Sequence, residues 1–65
     1  MLEFLLNDDI LKVKETTHTF FGSETRLIEY NINIWESRVY PDQFRPMTAS
    51  EIDYIKKYYL PKVGL

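Results

Sequence analysis

The chain has 65 residues, 45% of them hydrophobic and 15% aromatic, with ten acidic and eight basic side chains, a formal charge of −2, and no cysteine. The aromatic content belongs to a folding chain rather than a disordered one. The missing cysteines exclude disulfides and thiolate metal sites, and the lack of a basic excess argues against a non-specific nucleic-acid binder. A chain this short buries only about 60% of its unfolded surface, so a sizeable core and a deep pocket cannot coexist, and an enzyme is not expected.

The chain reads as one domain, 1–65. Met1 to Asp9 lacks the basic n-region and cleavage site of a signal peptide. No stretch approaches the ~20 apolar residues of a membrane span, and a cytoplasmic location is expected. With one alanine and many Ile, Tyr, Lys and Asn residues, the composition suits an AT-rich genome such as that of a low-GC bacterium or its phage.

In chain order, Leu2, Phe4 and Leu6 predict a short strand over about 2–6, closed by the turn residues Asn7-Asp8-Asp9. Residues 10–21 are rich in β-branched and aromatic side chains and predict a second strand. Gly22-Ser23 then suits a two-residue type II′ turn, with a third strand over about 24–39. Ile28, Tyr30, Ile32 and Ile34 recur at period two, with Glu29, Asn31 and Asn33 between them, which is the pattern of a half-buried strand. A turn at Gly22-Ser23 sets Leu11 opposite Ile34, Val13 opposite Ile32, Glu15 opposite Tyr30 and Thr17 opposite Ile28. The other face then carries Lys12 opposite Asn33, Lys14 opposite Asn31 and Thr16 opposite Glu29. Glu15 is the one misfit among the apolar residues.

Pro41-Asp42-Gln43 and Arg45-Pro46 mark a loop. Thr48-Ala-Ser-Glu51 has the capping-box form and opens a helix over about 49–60, stopped by Pro61. Ile52, Ile55 and Tyr59 share its apolar arc and are expected to cover the isoleucine face. The fold class expected is a small two-layer α+β domain, an antiparallel hairpin or three-stranded meander covered on one face by a C-terminal helix. The segment Met47–Tyr59, with Thr48, Glu51, Ile52, Tyr54, Ile55 and Lys56 at their places, resembles the first helix of helix-turn-helix domains in phage and mobile-element proteins. The resemblance covers thirteen residues and includes no recognition helix.

The chemistry-bearing residues are few. His18 reads as a surface residue near the turn, and Ser23, Ser37 and Ser50 lack a nucleophile-elbow pattern. Asp8-Asp9 is explained by its turn. No spacing calls for a metal and no glycine-rich loop for a phosphate, so neither a metal nor a cofactor is expected. Trp35 breaks the alternation and is read as pointing away from the isoleucine face, with Leu27 and Val39 sharing its parity. With Arg38, Tyr40, Phe44 and Arg45, and with Tyr54 and Tyr58 on the helix, it has the composition of an interface hot spot. The functional expectation is a small non-enzymatic protein-binding module, of the kind found as phage or mobile-element accessory or inhibitor proteins, with a protein partner. The alternative is a nucleic-acid-binding or regulatory protein using Lys12, Lys14, Asn31 and Asn33 on the open sheet face. A homodimer is also expected, because an open face and an unpaired edge strand invite self-association.

Overall fold

The computed structural model describes residues 1–65. Five strands form one antiparallel sheet in sequence order: β1 (Leu2–Asn7), β2 (Ile10–Thr19), β3 (Gly22–Asn31), β4 (Glu36–Val39) and β5 (Arg45–Pro46). A helical segment follows, α1 (Ala49–Tyr54), which widens into a π-helical turn at Ile55–Tyr59 and tightens into a 3-10 turn at Leu60–Val63. The architecture is α+β, with the helix on one face of the sheet. The segment that resembles the first helix of a helix-turn-helix forms α1 and the π-helical turn after it. No helix is long and apolar enough to cross a membrane.

The covered face is built by parity. Leu11 lies opposite Tyr30 and Val13 opposite Ile28, while Phe4 and Leu6 face Val13 and Leu11 from β1. Leu11 and Val13 are fully buried, and with Met47 and Ile55 they form the core. Ile52 and Tyr59 pack against it as expected, and the Tyr59 ring meets Phe4 and Tyr30 edge-on, with centroids 5.1 and 6.0 Å away.

The hairpin register differs from the expected one. The two-residue turn is Phe20-Phe21, not Gly22-Ser23, and Thr19 pairs with Gly22. Both registers keep the same residues on the same face, because the partners shift by an even number of residues. Burial parity therefore cannot choose between them. The observed register goes with an earlier end to β3. The Asn31 side-chain oxygen accepts the backbone N–H groups of Asn33 (3.0 Å) and Ile34 (3.2 Å), an Asx turn that ends the strand. The expected strand over 24–39 is thus divided: residues 32–35 form a turn and the chain returns as β4. Ile32 still packs on the core, but Ile34 is exposed. The observed register also resolves the misfit of Glu15, which faces Arg26 rather than Tyr30, an opposite-charge cross-strand pair.

The capping box is formed as expected: the Glu51 N–H donates to Thr48 Oγ1 at 3.2 Å, and Glu51 Oε1 accepts from the Thr48 N–H at 3.4 Å. Pro61 does not stop the helical path. In a regular α-helix its ring would collide with the Lys57 carbonyl. Here the chain widens before it and tightens around it, then ends at Gly64, whose φ of 86° gives the left-handed C-cap that glycine adopts without a Cβ penalty.

Candidate functional site

The expected interface residues separate into two groups. In the first, Arg38 on β4 lies opposite Glu29 on β3, both on the face away from the helix. Its Nε and Nη2 donate to Glu29 Oε1 at 2.7 and 2.6 Å. Its Nη1 donates to the Asp42 carbonyl at 3.3 Å, and its guanidinium stacks over the rings of Phe44 (4.7 Å) and Tyr40 (5.3 Å). Glu29 is only 7% exposed, so Arg38 neutralises a buried carboxylate and ties the 40–44 loop to the sheet. Arg45, on β5, lines with Arg38 an open cleft of about 490 Å³, together with Ile28, Tyr30, Val39, Gln43 and Glu51.

The second group belongs to the helix side. Trp35 takes φ 55° in the turn before β4 and packs against the core beneath the helix, with Lys56 Nζ 5.0 Å above its ring. It does not point to the open face. The turn at Asn31 breaks the strand alternation from which that direction was read, and Val39 likewise falls on the helix side, opposite Ile28. Tyr54 and Tyr58 lie on the exposed side of the helix with ring centroids 4.8 Å apart and planes tilted by 49°. Burial raises the Tyr30 hydroxyl pKa to about 12, assisted by Tyr59 and Glu51. Burial beside Tyr54 and Glu15 raises that of Tyr59.

The four residues of the nucleic-acid alternative do not form one row. Lys12 faces Glu29 and Lys14 faces Leu27 across the open face. The Asn31 side chain is engaged in its own turn, and Asn33 sits in that turn. The central row of this face reads Lys12, Glu29, Arg38, in which a carboxylate separates the cations. His18 Nδ1 lies 3.0 Å from Ser23 Oγ across the hairpin. The ring makes no hydrogen bond to a carboxylate, the third group that would orient it as a catalytic base. No group of three His, Asp or Glu side chains converges as a metal site requires.

Sequence reasoning passed over the most exposed aromatic pair. β1 reaches only as far as Thr16, where Met1 and Thr16 exchange backbone hydrogen bonds of 2.9 and 2.8 Å. Beyond that point β2 and β3 continue as a two-stranded ribbon. Ten residues of β2 span about 33 Å, which matches the 37 Å long dimension of the molecule. Phe20 and Phe21 form its tip, 97% and 96% exposed, with their rings edge to face at 5.4 Å. Gly22 takes φ 136°, a backbone conformation open to glycine because it has no Cβ. Thr19 Oγ1 donates to the Gly22 carbonyl at 2.9 Å, and the His18–Ser23 bond braces the next rung. The signal was present in the sequence, since two adjacent phenylalanines in a strand cannot both face the core.

Comparison of the chain with known protein families, curated proteins and solved structures returns no match.

Proposed function

We propose that the chain is a non-enzymatic protein-binding module whose anchor is the Phe20-Phe21 tip. The observation that carries the proposal is the exposure of two phenylalanines at a turn, where Gly, Asn, Asp, Ser or Pro would be usual. Where local sequence rules fail in a native protein, function or strain is the expected reason. Phe side chains bury about 150–250 Å² each. Two of them seated in an apolar pocket of a partner supply on the order of 3–6 kcal/mol of gross transfer energy, before the cost of association. The brace of Thr19, Gly22, His18 and Ser23 holds the anchor in place before binding, which lowers that cost.

The chemistry around the tip selects a protein partner. Between Thr16 and Thr25 the ribbon carries no lysine or arginine and one carboxylate, Glu24. Phosphate contacts supply nearly all non-specific nucleic-acid affinity, and basic clusters draw proteins to anionic lipid. Neither source is available here. An accessory or inhibitor protein that blocks a pocket on its target is the role this shape suits.

The test is site-specific photocrosslinking in lysate of the native host, with a benzophenone amino acid at position 20 and, as a control, at position 58. The expected result is one protein crosslinked from position 20, lost in competition with unlabelled chain but retained in competition with a Phe20→Ser/Phe21→Ser double variant. Tyr40→Ala should compete like the wild type. If the double variant competes equally well, or the only crosslinks are to nucleic acid or lipid, the tip is not the anchor.

A further inference from the structure

The outer edge of β1 is a self-complementary surface. Met1 and Thr16 form a hydrogen-bonded pair. Because antiparallel ladders alternate, Glu3, Leu5 and Asn7 also turn their backbone groups inward to β2. Leu2, Phe4 and Leu6 therefore turn theirs outward, and no backbone bond outside the regular elements engages them. The edge has none of the usual protections, such as proline, lysine or a bulge, and Glu3 is its one charge. The opposite edge, β5, has two residues and ends in Pro46.

The outward trio reads Leu-x-Phe-x-Leu, the same in both directions. We infer that β1 pairs antiparallel with β1 of a second copy about a twofold axis at Phe4. Leu2 then pairs with Leu6 of the second copy, Phe4 with its equivalent, and Leu6 with Leu2, so every outward N–H and C=O finds a partner. On the other face Glu3 sits opposite Leu5; the 59% exposed Leu5 there, and the 40% exposed Leu2 on the Phe4 face, lose solvent contact. Moving the axis to Leu5 leaves Leu2 unpaired, and moving it to Glu3 sets two carboxylates face to face. The pairing at Phe4 merges two five-stranded sheets into one of ten strands, with both helices on the same face. It also sends the two Phe20-Phe21 tips out in opposite directions, roughly 50 Å apart. The dimer is therefore a bivalent presenter of the tip, although its existence rests on β1 alone.

Sedimentation equilibrium of the 65-residue chain, untagged at its N-terminus, tests this from about 10 µM to 1 mM. The expected mass is twice 7.8 kDa. Leu5→Glu sets like charges opposite Glu3 of the second copy at two symmetric positions and is expected to weaken the dimer roughly five- to thirtyfold. Leu5→Lys places opposite charges there and is expected to leave the dimer at least as tight. Lys12 faces position 5 within the chain, so the comparison uses the dimer dissociation constant of each folded variant, checked by circular dichroism. The Phe20→Ser/Phe21→Ser variant is expected to dimerise like the wild type, which separates this proposal from association through the tips. A monomer at about 1 mM, or a dimer indifferent to Leu5→Glu, overturns the β1 interface. Equal weakening by both Leu5 variants overturns the axis at Phe4.

Discussion

Arg38 illustrates how a residue's role depends on what faces it. Its composition class, and the aromatics around it, suggested a contact reserved for a partner. Its position opposite Glu29 in the ladder makes it instead the counter-charge of a nearly buried carboxylate. Removing one member of such a pair leaves the other desolvated and uncompensated, which costs far more than the pair itself contributes. Arg38→Ala is expected to lower stability by about 2–3 kcal/mol, seen as a reduced urea midpoint with unchanged slope. Glu29→Leu/Arg38→Met, which removes both charges and keeps the volume, is expected to recover most of that loss. A double variant as unstable as Arg38→Ala would show that the guanidinium acts through its stacking on Phe44 and Tyr40 rather than through Glu29. None of this was legible before the register was known, because an arginine that serves its own sheet and one that serves a partner look alike in sequence.

At the scale of elements, the helix was the most legible part of the chain. Thr48 and Glu51 form the capping box that their spacing predicts, and Ile52, Ile55 and Tyr59 meet the sheet as their arc predicts. Local chemistry sufficed because a cap involves residues three apart. What escaped was the passage through Pro61, which depends on the path widening one turn earlier. The seam between helix and sheet is aromatic, and it makes stability sensitive to alkali. The Tyr30 hydroxyl is held neutral by burial and by Tyr59, with its pKa near 12 against an ordinary 10; that of Tyr59 is raised as well. A folded-state pKa above the unfolded value means that the folded chain binds more protons in that interval. The stability so conferred is complete below about pH 10 and is lost as pH rises toward 12. After discounting for the ring's partial access to water, Tyr30 accounts for roughly 1 kcal/mol of that loss. Urea midpoints measured from pH 8 to 12 are expected to be level at first and to fall above 10, with a shallower fall in Tyr30→Phe. An identical fall in the variant would assign the alkaline loss to other groups.

The whole molecule is unevenly held together, and that follows from how little of it is buried. Five of 65 residues are buried, and Leu11 and Val13 alone have fully buried side chains. The period-two patterning disclosed this face and the class of fold. It could not disclose the register, since shifting Leu11 from Ile34 to Tyr30 exchanges one apolar partner for another on the same face. The tip was hidden because Gly22-Ser23 is good turn chemistry, and the observed turn at Phe20-Phe21 goes with a β3 that ends at Asn31 instead of running on to Ile34. The two ends of the sheet consequently differ in what they contribute. A core of this size is worth no more than roughly 3–5 kcal/mol net, and truncating a buried leucine costs 2–5 kcal/mol. Leu11→Ala is therefore expected to leave the chain largely unfolded at 25 °C by far-ultraviolet circular dichroism, whereas Phe20→Ser/Phe21→Ser, removing two larger side chains, is expected to leave the urea midpoint unchanged. A double variant destabilised by more than about 1 kcal/mol would mean that the two rings stabilise the ribbon itself. An unchanged midpoint would mean that their apolar surface contributes nothing to the folded monomer, as an anchor for another protein requires.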